Sequence, residues 1–257
     1  MITVNTPNNW KDLQIKVAEI LKDCGFTTEI EKIVITARGQ VELDVYAQEQ
    51  INGRKYSIIC ECKFWNSSIP QAVVHGFRTI VSDIGSNIGY IITTSNFQKG
   101  AINTTEFTNV ELLTWDEFQN KFFESWFEKF FIFKITKELD PLMTYTEPIL
   151  PMWFPLMSLE DKQNYYSLKE KYDVIGYIIM VHFSTYSRML VKKDIPKLPL
   201  IELIKEDTEE IEKRIPKDIL TEVGYREFLD KIIAFGKVGI TSFRELRDKY
   251  SKSEDPE

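Results

Sequence analysis

In the run Cys60-Glu61-Cys62-Lys63 a carboxylate and an ammonium alternate with two thiols. Residues two apart in a strand share a face, so Glu61 and Lys63 would project together while Cys60 and Cys62 project the other way. Upstream, Val41-Glu42-Leu43-Asp44-Val45 has the same alternation, with Glu42 and Asp44 opposite Val41, Leu43 and Val45. The pair Asn52-Gly53 between the two runs is a strong hairpin signal, and that hairpin would bring Asp44 toward Glu61. Two carboxylates and a lysine then converge. Such a set suits hydrolysis of a phosphodiester, because carboxylate oxygens are the hard ligands that Mg²⁺ prefers, with Mn²⁺ as its substitute. The ion would polarise a phosphoryl oxygen and acidify a bound water, and the lysine would hold or help deprotonate that water and neutralise charge at phosphorus. Without the ion the carboxylates repel, and at least one would tend to protonate.

The elements that must position these residues alternate in type. Asn8 or Asn9 can cap a helix with Leu13, Val17, Ile20 and Leu21 at helical spacing, ending near Gly25. Strands follow at Thr27 to Thr36, Val41 to Ala47, and KYSIICECKFW. Ser67, Ser68 and Pro70 have the order of a capped helix start, with Val73, Val74, Phe77, Ile80 and Val81 as its buried stripe up to Gly85. The strand IGYIITTS, a helix from Phe97 to Phe107 and the strand NVELLTW complete the order α-β-β-β-α-β-α-β. This is an α/β core, a mixed sheet flanked by helices, whose later strands arrive through helical crossovers.

Glu19 in the first helix, Asp44, the Glu61-x-Lys63 pair, Gln71 and the run GYIITTSNFQKGA together resemble the Mrr-like restriction endonuclease domain of the PD-(D/E)xK nuclease superfamily, over about residues 8 to 119. The resemblance implies a restriction-endonuclease-like fold and a Mg²⁺-dependent endodeoxyribonuclease acting in defence against foreign DNA. It implies that Asp44 and Glu61 hold the metal, that Lys63 serves the water, and that Glu19 is an accessory acidic ligand. Gln71 would help position the water or the DNA backbone. Gly39-Gln40-Val41-Glu42-Leu43 before Asp44 is longer than the family's compact turn, so Glu42 competes with Glu19 as third ligand.

Each feature also has a plainer reading. Glu61 and Lys63 could be a solvated face of an edge strand, and Glu19 an exposed residue pairing with Lys16 or Lys22. His75 and His182 read as structural. Cys60-x-Cys62 has no Cys or His partners nearby for a metal site, so both thiols read as core, and GSNIG reads as a turn. The whole domain could be a binding module that recognises nucleic acid or a partner protein without cutting.

The chain has 257 residues, 32 Lys and Arg against 39 Asp and Glu, and a formal charge of −7. Through Asn120 there are 10 basic and 14 acidic residues, and 22 against 25 beyond it, so neither half is a basic domain that coats nucleic acid by charge alone. A local groove from Arg38, Arg54, Lys55, Arg78 and Lys99 remains open. The start lacks the pattern of a secretory signal and no apolar run is long enough to span a membrane, so the expectation is a cytoplasmic protein with reduced Cys24, Cys60 and Cys62.

Composition shifts after about Trp115, and we divide the chain into a nuclease domain, 1–119, and a mostly α-helical accessory domain, 120–257, for oligomerisation, recognition or regulation. Asp116 can cap a helix carrying Phe118, Phe122, Phe123, Trp126, Phe127, Phe130 and Phe131, read either as an oligomer or partner interface or as a helix buried between the two halves of the chain. Pro141, Pro148, Pro151 and Pro155 are expected to prevent long elements, with helices at about 158–190, 199–213 and 216–248 and a frayed tail SKSEDPE. The break Gly236-Lys237-Val238-Gly239 before Thr241 suggests a helical hairpin or a helix-turn-helix. A homodimer or higher homo-oligomer on DNA is expected, since a duplex cut needs two sites or two events. An activating partner protein is among the expected partners.

Overall fold

The computed structural model describes residues 1–184, 194–204 and 208–251. The helix expected to reach residue 190, the segment 205–207 of the next helix and residues 252–257 of the tail lie partly or wholly outside those residues. The chain divides into two units, Met1–Phe130 and Phe131–Glu257.

The first unit is built on a five-stranded sheet in the order β1-β2-β3-β4-β5. Its strands are β1 (Thr27–Thr36), β2 (Gly39–Ile51), β3 (Arg54–Lys63), β4 (Ile88–Thr93) and β5 (Val110–Thr114). The first three are antiparallel and the last three parallel, so β3 is central and belongs to both halves. The parallel pairs need crossovers. These are α2 (Gln71–Ile84) between β3 and β4, and α3 (Lys99–Asn103) between β4 and β5. The flanking helices are α1 (Trp10–Asp23) and α4 (Trp115–Trp126). The mixed sheet with flanking helices is the fold class expected from the sequence.

The β2–β3 hairpin turns at Asn52 (φ 50°) and Gly53 (φ 80°), the two positive φ values a two-residue type I′ turn demands. Asn9 caps α1 by accepting from the Asp12 N–H at 2.9 Å. Pro70 opens α2 without a side-chain cap, so Ser67 and Ser68 do not serve as expected. The helix is instead set by packing: Val74, Phe77 and Val81 enter one cluster with Leu43, Tyr46, Ile59 and Ile91. A Cβ on Gly89 of β4 would lie 2.5 Å from Val81 and 2.7 Å from Phe77, so only glycine lets α2 sit this close. The expected helix from Phe97 to Phe107 is reduced to α3. The cap of α4 is Thr114, not Asp116. Thr114 and Glu117 form a reciprocal capping box, which leaves Trp115 as the first helical residue.

The rings of α4 are spent inside its own unit. Phe118 is fully buried, lies 4.9 Å from Phe122 and stacks on Trp115, while Phe122 meets Tyr90 edge to face. The Trp126 indole donates to Asp23 at 3.0 Å. Trp115, Phe118, Phe122 and Trp126 are thus buried, while Phe123 is half-buried. A π-helical turn, Phe127–Phe131, follows α4.

In the second unit, α5 (Ile132–Thr146), α6 (Leu159–Ile178) and α9 (Tyr225–Ser251) pack together, with short helices α7 (Thr208–Arg214) and α8 (Lys217–Leu220) between the last two. Two expectations fail here. Pro141 lies inside α5 without ending it. The glycines near 236 do not break a hairpin, because α9 runs through them for 27 residues. Their role is close packing: a Cβ on Gly236 would lie 2.5 Å from Leu139, and one on Gly239 would lie 2.9 Å from the Tyr172 ring. The helix-turn-helix reading is thereby removed. Among the described residues no helix is long and apolar enough to cross a membrane.

Candidate active site

Strand β3 supplies two of the expected residues. Cys60 and Cys62 are buried, and Glu61 and Lys63 lie on the opposite face, joined as an ion pair. Because β3 runs between β2 and β4, these charges are not the solvated face of an edge strand. Their side chains are only 22% and 20% exposed. The end of β3 is fixed from β4, where the buried Thr93 hydroxyl donates to the Lys63 carbonyl at 3.0 Å.

Strand β2 supplies Asp44, by a local irregularity. The β2–β3 ladder ends at Val45 opposite Cys60, one step before Asp44 and Glu61 would face each other. On the other side, pairing with β1 skips Glu31, which has φ 55°, opposite Asp44. Strict alternation lapses there: Leu43 and Tyr46, three residues apart, enter one hydrophobic cluster and Val45 is buried outside it. The expectation of a single face shared by Val41, Leu43 and Val45 is corrected accordingly. The lapse frees the Cys62 N–H, which donates to Asp44 Oδ2 at 2.7 Å in place of a ladder bond.

The second donor to Asp44 was not foreseen from sequence. Gln14 of α1, 3% exposed, donates through Nε2 to Asp44 Oδ1 at 2.8 Å. Glu19, five residues further on, lies roughly 140° round the helix from Gln14 and is exposed. Its neighbour Lys16 pairs with Asp12 at 2.6 Å. Glu42 is exposed as well. The structure thus brings together Asp44, Glu61, Lys63 and Gln14, and leaves both candidate accessory acids on exposed positions. Gln71 is exposed at the start of α2, where its Nε2 lies 3.0 Å from His75 Nε2.

Burial, then the nearby charge of Asp44, pushes the Glu61 carboxyl above its ordinary range, and Lys63 opposes the shift without cancelling it. Burial also raises both thiols, Cys62 well above the usual range. A site that strains to keep two anions together is one a divalent cation would relieve. Among the described residues no three His, Cys, Asp or Glu side chains form a metal cluster. The donor set nevertheless suits a hard cation, because Asp44 and Glu61 offer carboxylate oxygens and the buried Gln14 Oε1 has no hydrogen-bond partner. Of the cations expected to frame a groove, Arg38 pairs with Asp83 and Arg78 donates to the Thr104 carbonyl, while Arg54, Lys55 and Lys99 are exposed.

A mixed sheet with an acid from one strand and an E-x-K pair from the next defines the restriction-endonuclease-like class of α/β domains. The chain matches the family described as "Restriction endonuclease" over residues 7–122, and this segment is an Mrr-like restriction endonuclease domain, of the nuclease class. Two solved structures are similar to part of the chain. One is a protein of unknown function, AF1548, with 23% identity and a TM-score of 0.38, the match covering 47% of this chain and 66% of that one. The other is the DNA modification-dependent restriction endonuclease AspBHI, with 12% identity and a TM-score of 0.30, covering 46% and 38%. The match thus spans less than two thirds of either structure's length. No curated protein matches the chain.

Proposed function

We propose that the first unit is a metal-dependent endodeoxyribonuclease, used in restriction or anti-phage defence in the cytoplasm. The observation that carries this reading is the convergence of Asp44, Glu61 and Lys63 at the point where β2 and β3 part. Asp44 and Glu61 would hold Mg²⁺, or Mn²⁺ in its place. The ion, when bound, supplies a Lewis acid for the phosphoryl oxygen and acidifies a water.

The chain's own groups do the rest. Asp44 is held by two donors, so its carboxylate needs no reorganisation. Lys63 stands beside Glu61 with its ammonium ready to hold the attacking water and to neutralise charge that builds on the phosphoryl oxygens. Glu19 and Gln71 remain candidate accessory residues, Gln71 for the DNA backbone. The second unit is proposed as an accessory domain for recognition, assembly or response to an activating partner. Because one site cuts one strand, the working form is proposed to be a homodimer, through a surface other than the buried rings of α4; light scattering with DNA and metal present tests it.

The nuclease test uses plasmid DNA with Mg²⁺ or Mn²⁺ and the full chain. Wild type is expected to cleave, while Asp44→Ala and Lys63→Ala are expected to lose at least about 100-fold in rate. Cleavage that survives both substitutions would remove the proposed site. Retained DNA binding by a wild type that never cuts would favour a recognition module on the same fold.

A further inference from the structure

We propose that Gln14 supplies the third oxygen of the metal site, so that the divalent ion is held by two carboxylates and one neutral carboxamide. This rests on the reading of Asp44 and Glu61 as metal ligands. A carboxylate can only accept, so the bond from Gln14 Nε2 to Asp44 Oδ1 at 2.8 Å fixes which end of the amide faces the acid. The amide cannot flip without losing that bond. Oε1 is therefore held in a buried position where it has no hydrogen-bond partner. An unsatisfied buried carbonyl is destabilising, and native interiors rarely leave one without a partner. Gln14 is 3% exposed, so bulk water does not supply that partner. A cation at Asp44 would satisfy the orphaned oxygen and both carboxylates together, and neither Glu19 nor Glu42 is buried with the site to compete for this place.

A neutral third ligand has a measurable consequence, because ligand charge count tunes divalent-ion affinity. The test is titration of the full-length, DNA-free protein with Mn²⁺, following free Mn²⁺ by electron paramagnetic resonance. Gln14→Met, close in volume and without the oxygen, is expected to weaken binding about tenfold or more. Gln14→Glu, which makes the third oxygen anionic, is expected to tighten it by at least about tenfold. In thermal unfolding, Gln14→Glu should melt below wild type in chelator and recover with Mn²⁺, a pattern that a purely packing role would not produce. Mn²⁺ affinity unchanged in Gln14→Met and Gln14→Glu, with binding lost in Asp44→Asn, would overturn the Gln14 assignment and leave the carboxylate site standing. Binding that also survives Asp44→Asn, or no binding by wild type, would overturn both.

Discussion

The backbone N–H of Cys62 donates to Asp44 Oδ2 at 2.7 Å, so a catalytic candidate on one strand closes a hydrogen bond that the next strand would otherwise have lost. Asp44 thus belongs to the sheet's own bonding as well as to the site. Removing it by Asp44→Ala leaves two buried donors, Cys62 N–H and Gln14 Nε2, without an acceptor. Asp44→Asn turns an amide donor toward one of them. Both variants should lose about 1–3 kcal/mol of stability in urea unfolding. Because Asp44 helps to raise the Glu61 carboxyl, the comparison is made across a pH series and read at its acidic end, where relief of carboxylate repulsion masks least of the loss. Wild-type stability in both variants would mean that the two bonds do not hold the strands.

Glu61 gives the opposite pH behaviour from most acids. Its carboxyl is raised in the folded chain, by burial first and then by Asp44, so the folded state binds its proton more tightly than the unfolded state does. Its contribution to stability is complete below the unfolded carboxylate range, about pH 4, and is lost as pH rises through the raised folded value. In chelator, Glu61→Gln should therefore gain stability over wild type as pH rises from about 4 toward neutrality. Thermal unfolding across that range checks it, and a difference that shrinks with rising pH would show the Lys63 pairing to dominate instead.

What was legible in the sequence was what depends on neighbours. The Asn52-Gly53 turn needs two positive φ values and names the residues that adopt them, and the alternation from Cys60 to Lys63 assigned thiols and charges to the correct faces. Gln14 was hidden because a glutamine in an amphipathic helix carries no local mark, and its partner lies 30 residues away. The lapse at Asp44 was hidden for a related reason. It is produced jointly by Glu31 on β1 and by the end of the β3 ladder, and a rule of alternation within β2 contains neither. Glycines in α9 were misread since a missing side chain looks the same whether it serves a turn or a neighbour.

Those glycines carry their own prediction. Alanine normally stabilises a helix relative to glycine by about 1 kcal/mol. In Gly236→Ala and Gly239→Ala the new methyl meets Leu139 and Tyr172, both buried, at 2.5 and 2.9 Å. Each variant should therefore lose about 1–3 kcal/mol by chemical denaturation. A gain at both positions would mean that these helices can move apart at little cost.

The two thiols of β3 stand back to back with the charged pair, buried on the other side of the same three peptide units. Neither can meet a water-borne reagent unless the middle of the sheet comes apart, and burial also keeps both from ionising. Their labelling by an aromatic disulfide therefore acts as a clock for exposure of the strand that carries Glu61 and Lys63. A divalent ion that clamps Asp44 to Glu61 should slow that clock, and Asp44→Ala should quicken it and remove the ion's effect. The sheet carries, in two buried cysteines, a built-in gauge of how firmly the strand that bears the charged pair is held in place.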